Sequence, residues 1–168
     1  MSVTSVPPEL VIDTDDPRRD DVTALLERHL HFAYDVSPPE HVHALDVEAL
    51  LEPSVTFFSA RRDGALLAVG ALKEFDDGHG ELKSMHTAEE ARGQGVGRAM
   101  VDHLLAVAQE RGYHRVSLET GTGEAFEAAQ ALYAGAGFTP CEPFGPYTSN
   151  PHSTCMTIEL PSATNPSR

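Results

Sequence analysis

Gly93, Gly95 and Gly97 alternate along a short stretch flanked by Arg92 and Arg98, and the chain changes character on either side of them. Residues 80–87 upstream read as a strand. Downstream, from about residue 97 to 111, Met100, Val101, Leu104, Leu105 and Ala108 recur at helical spacing until Gly112 ends the run. Alternating glycines let a backbone come close to an anion and turn its N–H groups inward, and a helix that begins there adds the positive end of its dipole. Residue types and order together describe a phosphate cradle: Arg92, Gly93, Gln94, Gly95, Val96, Gly97 and Arg98.

Spacing separates the phosphate binders that could own such a loop. A P-loop requires Gly-x-x-x-x-Gly-Lys-Ser/Thr, and no lysine follows these glycines. The dinucleotide fingerprint Gly-x-Gly-x-x-Gly takes Gly93 and Gly95, with Glu119 at the end of a later strand as a ribose ligand. Its third glycine position is Arg98, however, and Ala88 to Arg92 separate strand from loop where a dinucleotide fold turns at once.

Arg92-Gly93-Gln94-Gly95-Val96-Gly97 resembles the Arg/Gln-x-x-Gly-x-Gly/Ala signature of the GCN5-related N-acetyltransferases (GNAT family), and it follows a Glu-Leu-x-x-Met-x-Thr strand as it does there. Further along, Ala129-Gln130-Ala131-Leu132-Tyr133-Ala134-Gly135-Ala136-Gly137-Phe138 is similar to the family's Ala-x-x-Leu-Tyr-x-x-x-Gly-Phe segment. The likeness extends to the bacterial YsnE-like subgroup through Ser37 to Asp46, Gly80 to Met85, Leu118 to Gly121 and Cys141 to Tyr147, and so covers most of residues 35–160. One departure is clear: where many acetyltransferases carry an asparagine seven residues before the tyrosine, this chain has Phe126.

The resemblance implies a chemistry and its residues. Acetyl-CoA is the donor, and its pantetheine arm enters between two parallel strands, residues 80–87 and 115–119, that splay at their carboxyl ends. Backbone groups of Met85 and Thr87 pair with it, and the N–H of Met85 or His86 faces the acetyl oxygen. Tyr133 faces the sulfur as acid. The proton of the attacking amine goes to Glu81, His79, Glu119 or a water chain, alternatives that the sequence leaves open. Ser37, His41 and His43 lie in the loop that covers the acceptor pocket, and Glu119 borders it. The expected reaction is acetylation of a small-molecule amine; a protein amino terminus or lysine as acceptor, or acetyl-CoA sensing without turnover, are the rivals, and the resemblance leaves room for a homodimer.

Composition narrows the setting. The 168 residues suit one domain with an ordered core over about 9–160 and loose ends at 1–8 and 161–168. A net charge of −14, from 26 acids against 12 bases, argues against nucleic acid as a partner and favours cationic acceptors. No apolar run reaches the roughly 18 residues of a membrane span, so the expectation is a soluble, cytoplasmic protein with no membrane partner, and the resemblance implies a bacterial one. Two cysteines, Cys141 and Cys155, make no disulfide framework. His29/His31 and His41/His43 are spaced i, i+2, which splays their rings on a helix, so no metal site is expected.

The elements that must position these residues follow from periodicity. Helical patterns occupy residues 20–36, 47–51, 97–111 and 124–134, and strand runs occupy 55–60, 65–72, 80–87, 115–119, 138–142 and 154–160. Arg62-Asp63-Gly64 marks a hairpin. The phase of apolar residues slips between Leu82 and Met85, the mark of a β-bulge. The expected fold is a single-domain α/β acetyltransferase fold: a mixed six- or seven-stranded sheet flanked by helices on both faces, with splayed parallel strands at the cofactor site.

Overall fold

In the computed structural model, which describes residues 9–36, 47–76, 78–123, 126–144, 151 and 153–161, one mixed sheet organises the chain. Its strands are β1 (Leu10–Thr14), β2 (Val55–Arg62), β3 (Ala65–Asp76), β4 (His79–Thr87), β5 (Arg115–Gly121), β6 (Thr139–Cys141) and β7 (Ser153–Glu159), in the spatial order β1-β2-β3-β4-β5-β7-β6. The helices are α1 (Asp20–Val36), α2 (Val47–Leu50), α3 (Val96–Glu110) and α4 (Glu127–Ala136), with a 3₁₀ turn at Glu89–Ala91. Neighbouring strands are antiparallel except β4 and β5, which run parallel because α3 carries the chain back between them.

The strand β1 has no counterpart in the sequence reading. It is a five-residue edge strand, Leu-Val-Ile-Asp-Thr, paired only with β2; its burial alternates between half-buried Leu10 and Ile12 and a Val11 that is 58% exposed, so the apolar residue at the exposed position hides the alternation from the sequence. The fourth helix begins at Glu127 rather than 124 and runs through Gly135 to close at Gly137, whose left-handed φ of 111° lets Phe138 N donate to Tyr133 O at 3.0 Å. The β2–β3 hairpin turns through Asp63 (φ 54°) and Gly64 (φ 82°), the two positive angles that a two-residue turn of the primed kind demands.

Two faces of the sheet are packed differently. A Cβ on Gly70 would point at Met85, Met100 and Leu104, and one on Gly80 at Tyr113 and Leu72, so positions 70 and 72 of β3 and 80 and 82 of β4 look toward α3. That face is apolar: Leu72, Leu82, Met100, Leu104, Val116 and Leu118 are all buried. The alternate positions look the other way, where α1 lies across β3 and β4 and buries Val22, Leu25 and Leu26 over Val69 and Ala71. Further along the same side, over β5 and β7, the facing residues turn polar.

Candidate active site

Pairing between β4 and β5 stops early. The ladder joins His79 to Arg115, Gly80 to Val116 and Glu81 to Ser117, and beyond that level residues 82–87 pair with β3 alone while 118–121 pair with β7 alone. The two parallel strands therefore part toward their carboxyl ends. At the same level the β3–β4 register slips: Val69 faces His86 and Ala71 faces Lys83, so Gly70 stands opposite both Ser84 and Met85. This is the bulge expected from the apolar phase. Ser84 absorbs it with φ 55°, a left-handed angle that costs a non-glycine residue on the order of 1 kcal/mol. Gly70 makes it fit, because a Cβ there would sit 2.7 Å from Met85 Sδ. A bulge leaves one residue outside the ladder, here on the strand that borders the opening.

The glycine loop follows β4 after the 3₁₀ turn at Glu89–Ala91. Gly93 (φ 78°) and Gly95 (φ 81°) are left-handed, and an added Cβ on either would meet nothing within 4 Å, so backbone angle rather than space requires glycine there. Gly95 is the N-cap of the 15-residue α3 and no side chain caps the helix, which leaves its first N–H groups to a ligand or water. Gly97 is different. A Cβ on it would lie 3.2 Å from Thr87 Oγ1 and 3.4 Å from Leu132 Cδ2, so this glycine lets the end of β4, α3 and α4 come together.

Arg92 and Gln94 are exposed, and the side chain of Val96 is buried so that only its backbone can face a ligand. The Arg98 guanidinium, which was expected to serve the cradle, bonds Asp102 Oδ1 at 3.0 Å. Sequence reading missed a further arginine: Arg62, at the end of β2, reaches Gln94 Oε1 with Nη1 at 3.4 Å, and Gln94 Nε2 donates to Glu90 O at 3.2 Å. Its Nε is buried without a partner among the described residues. Only the hairpin register, which no local motif reveals, brings residue 62 beside residue 94.

Tyr133 is 7% exposed, one residue beyond the Leu132 that packs at Gly97, and its ring meets Phe138 edge-on at 5.9 Å. Burial raises its pKa well above the ordinary tyrosine value. Phe126, in place of the asparagine, packs flat against Gly121, where any Cβ would collide with the ring, and Gln130 Nε2 closes the same turn on Gly121 O at 2.7 Å.

Opposite α3, the face of β4, β5 and β7 carries a polar row. His79 Nε2 and Ser117 Oγ share a hydrogen bond of 2.8 Å, Ser117 Oγ and Thr157 Oγ1 one of 2.9 Å, and Lys83 Nζ donates to Glu81 Oε2 at 3.2 Å. Glu81 is only 2% exposed and stands level with the last paired position of the two strands, while Glu119 is half-buried one step beyond it. Cys155 pairs with Glu119 on one side and Cys141 on the other. Burial is the main cause that pushes the Cys155 thiol up to about 11 and raises that of Cys141, which makes both poor nucleophiles. The His79 ring lies 5.8 Å from Phe144. Ser37, His41 and His43 lie outside the described residues. Among the described residues no group of three His, Cys, Asp or Glu could hold a metal ion, and no helix is long and apolar enough to cross a membrane.

Known proteins resemble this chain in sequence and fold. A profile of the acetyltransferase (GNAT) family matches residues 20–138. The chain is 47% identical to the N-acetyltransferase YedL of Escherichia coli (strain K12) over 89% of its length and 94% of the relative's. It is 44% identical to the N-acetyltransferase YsnE of Bacillus subtilis (strain 168) over 89% and 99%. The crystal structure of a Klebsiella pneumoniae subsp. pneumoniae protein described as an acyl-CoA N-acyltransferase superposes with a TM-score of 0.74 at 26% identity, covering 90% of this chain and 97% of that one. Parted parallel strands, a bulge at their mouth and a glycine-capped helix beside them thus accompany extensive likeness in sequence and fold, and the chain belongs to the acetyltransferase (GNAT) family.

Proposed function

We propose that the chain transfers the acetyl group of acetyl-CoA to the amine of a small molecule by direct attack. The observation that carries this reading is the parting of β4 and β5 immediately above Glu81 and Ser117, next to the uncapped start of α3. An extended pantetheine arm has strand-edge groups to pair with in such a gap, and its pyrophosphate has the N–H groups of residues 93–98 within one turn of the same helix.

In the reaction, nitrogen forms a bond to the acetyl carbon, the carbon–sulfur bond breaks, and one proton leaves the nitrogen. The bulged backbone at Met85 and His86 supplies a donor for the oxygen that gains charge. Tyr133 serves the departing sulfur. A thiolate whose conjugate acid titrates near about 8.5 cannot take the proton of a hydroxyl raised above the usual tyrosine value, so Tyr133 acts by donating a hydrogen bond. Glu81 receives the amine's proton. Glu81 lies four positions before Met85, up to about 13 Å along the strand, so the proton reaches it through water and not by direct contact. Arg92, Gln94 and the backbone of Val96 and Gly97 complete the coenzyme site.

The test is release of free coenzyme A from acetyl-CoA in the presence of a panel of small amines, with peptides bearing free amino termini or lysines as the comparison. Turnover with small amines supports the reading. Preference for peptides would move the acceptor to proteins, and tight acetyl-CoA binding without turnover would make the chain a sensor.

A further inference from the structure

Two arginines stand side by side at the end of β2 and are held in opposite ways. Arg61 shares its side of the strand with Ser59, and its guanidinium meets Asp15 at 3.0 Å and Asp21 at 2.7 Å. Position 62 lies on the other side with Phe58, whose ring packs edge-on against His103 of α3. Among the described residues the Arg62 guanidinium meets no carboxylate. Its hydrogen-bonding contact runs from Nη1 to the amide oxygen Gln94 Oε1 at 3.4 Å, beyond the roughly 3.2 Å at which such bonds ordinarily end, and its Nε is buried without a partner. The chain holds 26 acids and 12 bases, and the acids nearest this guanidinium in sequence and loop, Asp63, Glu89 and Glu90, are exposed and leave it unpaired. A neutral amide oxygen is a weaker acceptor than an anion, and a buried N–H without a partner carries its full desolvation penalty.

What Arg62 touches is the glycine loop. Gln94 lies between Gly93 and Gly95, and its own Nε2 is tied back to Glu90 O at 3.2 Å. The hairpin thus brings a positive charge to the rim of the turn at which the uncapped N–H groups of α3 begin. Within the loop's own sequence, Arg98 is engaged by Asp102 at 3.0 Å and Arg92 is exposed.

We propose that Arg62 is a phosphate ligand of the coenzyme: its guanidinium turns from Gln94 to a phosphate group seated at the glycine loop. The inference rests on the coenzyme site proposed above and adds to it a residue from outside the loop. A phosphate offers charged acceptors in pairs, which suit the planar edge of a guanidinium better than a single amide oxygen does. Turning also brings Nε out of its unpaired burial. Gln94 is then the place where the charge rests between ligands, in a chain whose many carboxylates would otherwise capture it.

The experiment is titration calorimetry of acetyl-CoA, coenzyme A and dephospho-coenzyme A against wild type, Arg62→Gln and Arg62→Lys at low and at physiological salt, with ligand-free melting temperatures alongside. Arg62→Gln should raise the Kd for acetyl-CoA about tenfold, the ratio that one charge-assisted hydrogen bond supports, and should make the Kd less sensitive to salt. Arg62→Lys keeps the charge without the planar edge; it should keep the salt sensitivity and lose about threefold in affinity. A loss that persists with dephospho-coenzyme A assigns Arg62 to the pyrophosphate, and one that vanishes assigns it to the 3′-phosphate; either supports the inference. Unchanged affinity in Arg62→Gln, whatever its melting temperature, overturns it while the acetyltransferase reading stands. So does weaker binding with wild-type salt sensitivity, which would make Arg62 a prop for Gln94. If Arg62→Gln does not fold, wild-type affinity in Arg62→Lys overturns the paired contact and a threefold loss supports it. A wild type that binds no acetyl-CoA overturns both this inference and the coenzyme site.

Discussion

The two faces of strands β4, β5 and β7 follow opposite rules. Toward α3 and α4 they present Leu82, Val116, Leu118 and Met156, none more than 6% exposed. On the other side the intervening positions are His79, Glu81, Lys83, Ser117, Glu119, Cys155 and Thr157, several of them just as buried. A period of two thus writes a hydrophobic anchor and the polar face proposed for the reaction into the same seven to nine residues. The lesson is that burial on these strands does not by itself separate packing from polarity: neighbouring positions are equally buried and opposite in character.

Mutations that treat the faces alike should have unlike outcomes. Leu104→Ala, on the apolar side, should destabilise by about 3 kcal/mol, and urea unfolding measures it. Replacing Glu81 and Lys83 together by Leu should leave stability within about 1–2 kcal/mol of wild type while turnover collapses; replacing Lys83 alone by Leu removes the countercharge of a buried carboxylate and should cost about 3 kcal/mol. Equal losses in the Leu104 variant and the double variant would break the contrast.

Tyr133→Phe tests whether a buried aromatic on the apolar side also does chemistry. We expect kcat to fall about ten- to a thousandfold with acetyl-CoA affinity retained, and unchanged turnover would return Tyr133 to packing against Phe138. Gly95→Ala adds a methyl where there is room but forces a left-handed angle, so it should cost about 1 kcal/mol of stability and weaken acetyl-CoA binding in calorimetry. Native affinity in the folded variant would remove the cradle role.

The smallest effect concerns a third, purely structural polar cluster. Arg61 bonds Asp15 Oδ2 at 3.0 Å and Asp21 Oδ2 at 2.7 Å, tying the start of α1 to β2. Burial alone would raise the Asp15 pKa, but hydrogen bonds from Ser59, the Asp16 backbone and Arg61 bring it below the ordinary value, and the hydrogen bond from Arg61 is the main cause that lowers Asp21. Carboxylates depressed by folding contribute stability that is complete above their unfolded pKa near about 3.9 and is lost as pH falls through the folded values. The stability gap between wild type and Arg61→Ala, about 1 kcal/mol at neutral pH, should persist down to about pH 5 and close below about pH 4. A gap independent of pH in acid would show that the latch acts by packing.

Much of the site was legible because its determinants are local. Gly93 and Gly95 mark backbone angles, Asp63-Gly64 marks a turn, and the slip between Leu82 and Met85 marks the bulge, each within a few residues. What stayed hidden depends on pairing across the chain. Arg62 meets Gln94 only because β2 and β3 are in one register, and the parting of β4 from β5 appears only once Glu81 is known to face Ser117. The strand β1 escaped because its exposed position carries Val11, which hides the alternation of its burial from the sequence.

Gly97 gives the enzyme a fixed length scale. Because its missing side chain seats both Thr87 and Leu132, the end of β4, the start of α3 and the residue next to Tyr133 are referenced to the same contact. In the coenzyme site proposed above, slack at either end of the donor would be set by a single van der Waals spacing, with the tolerance of a packed core instead of that of a loop.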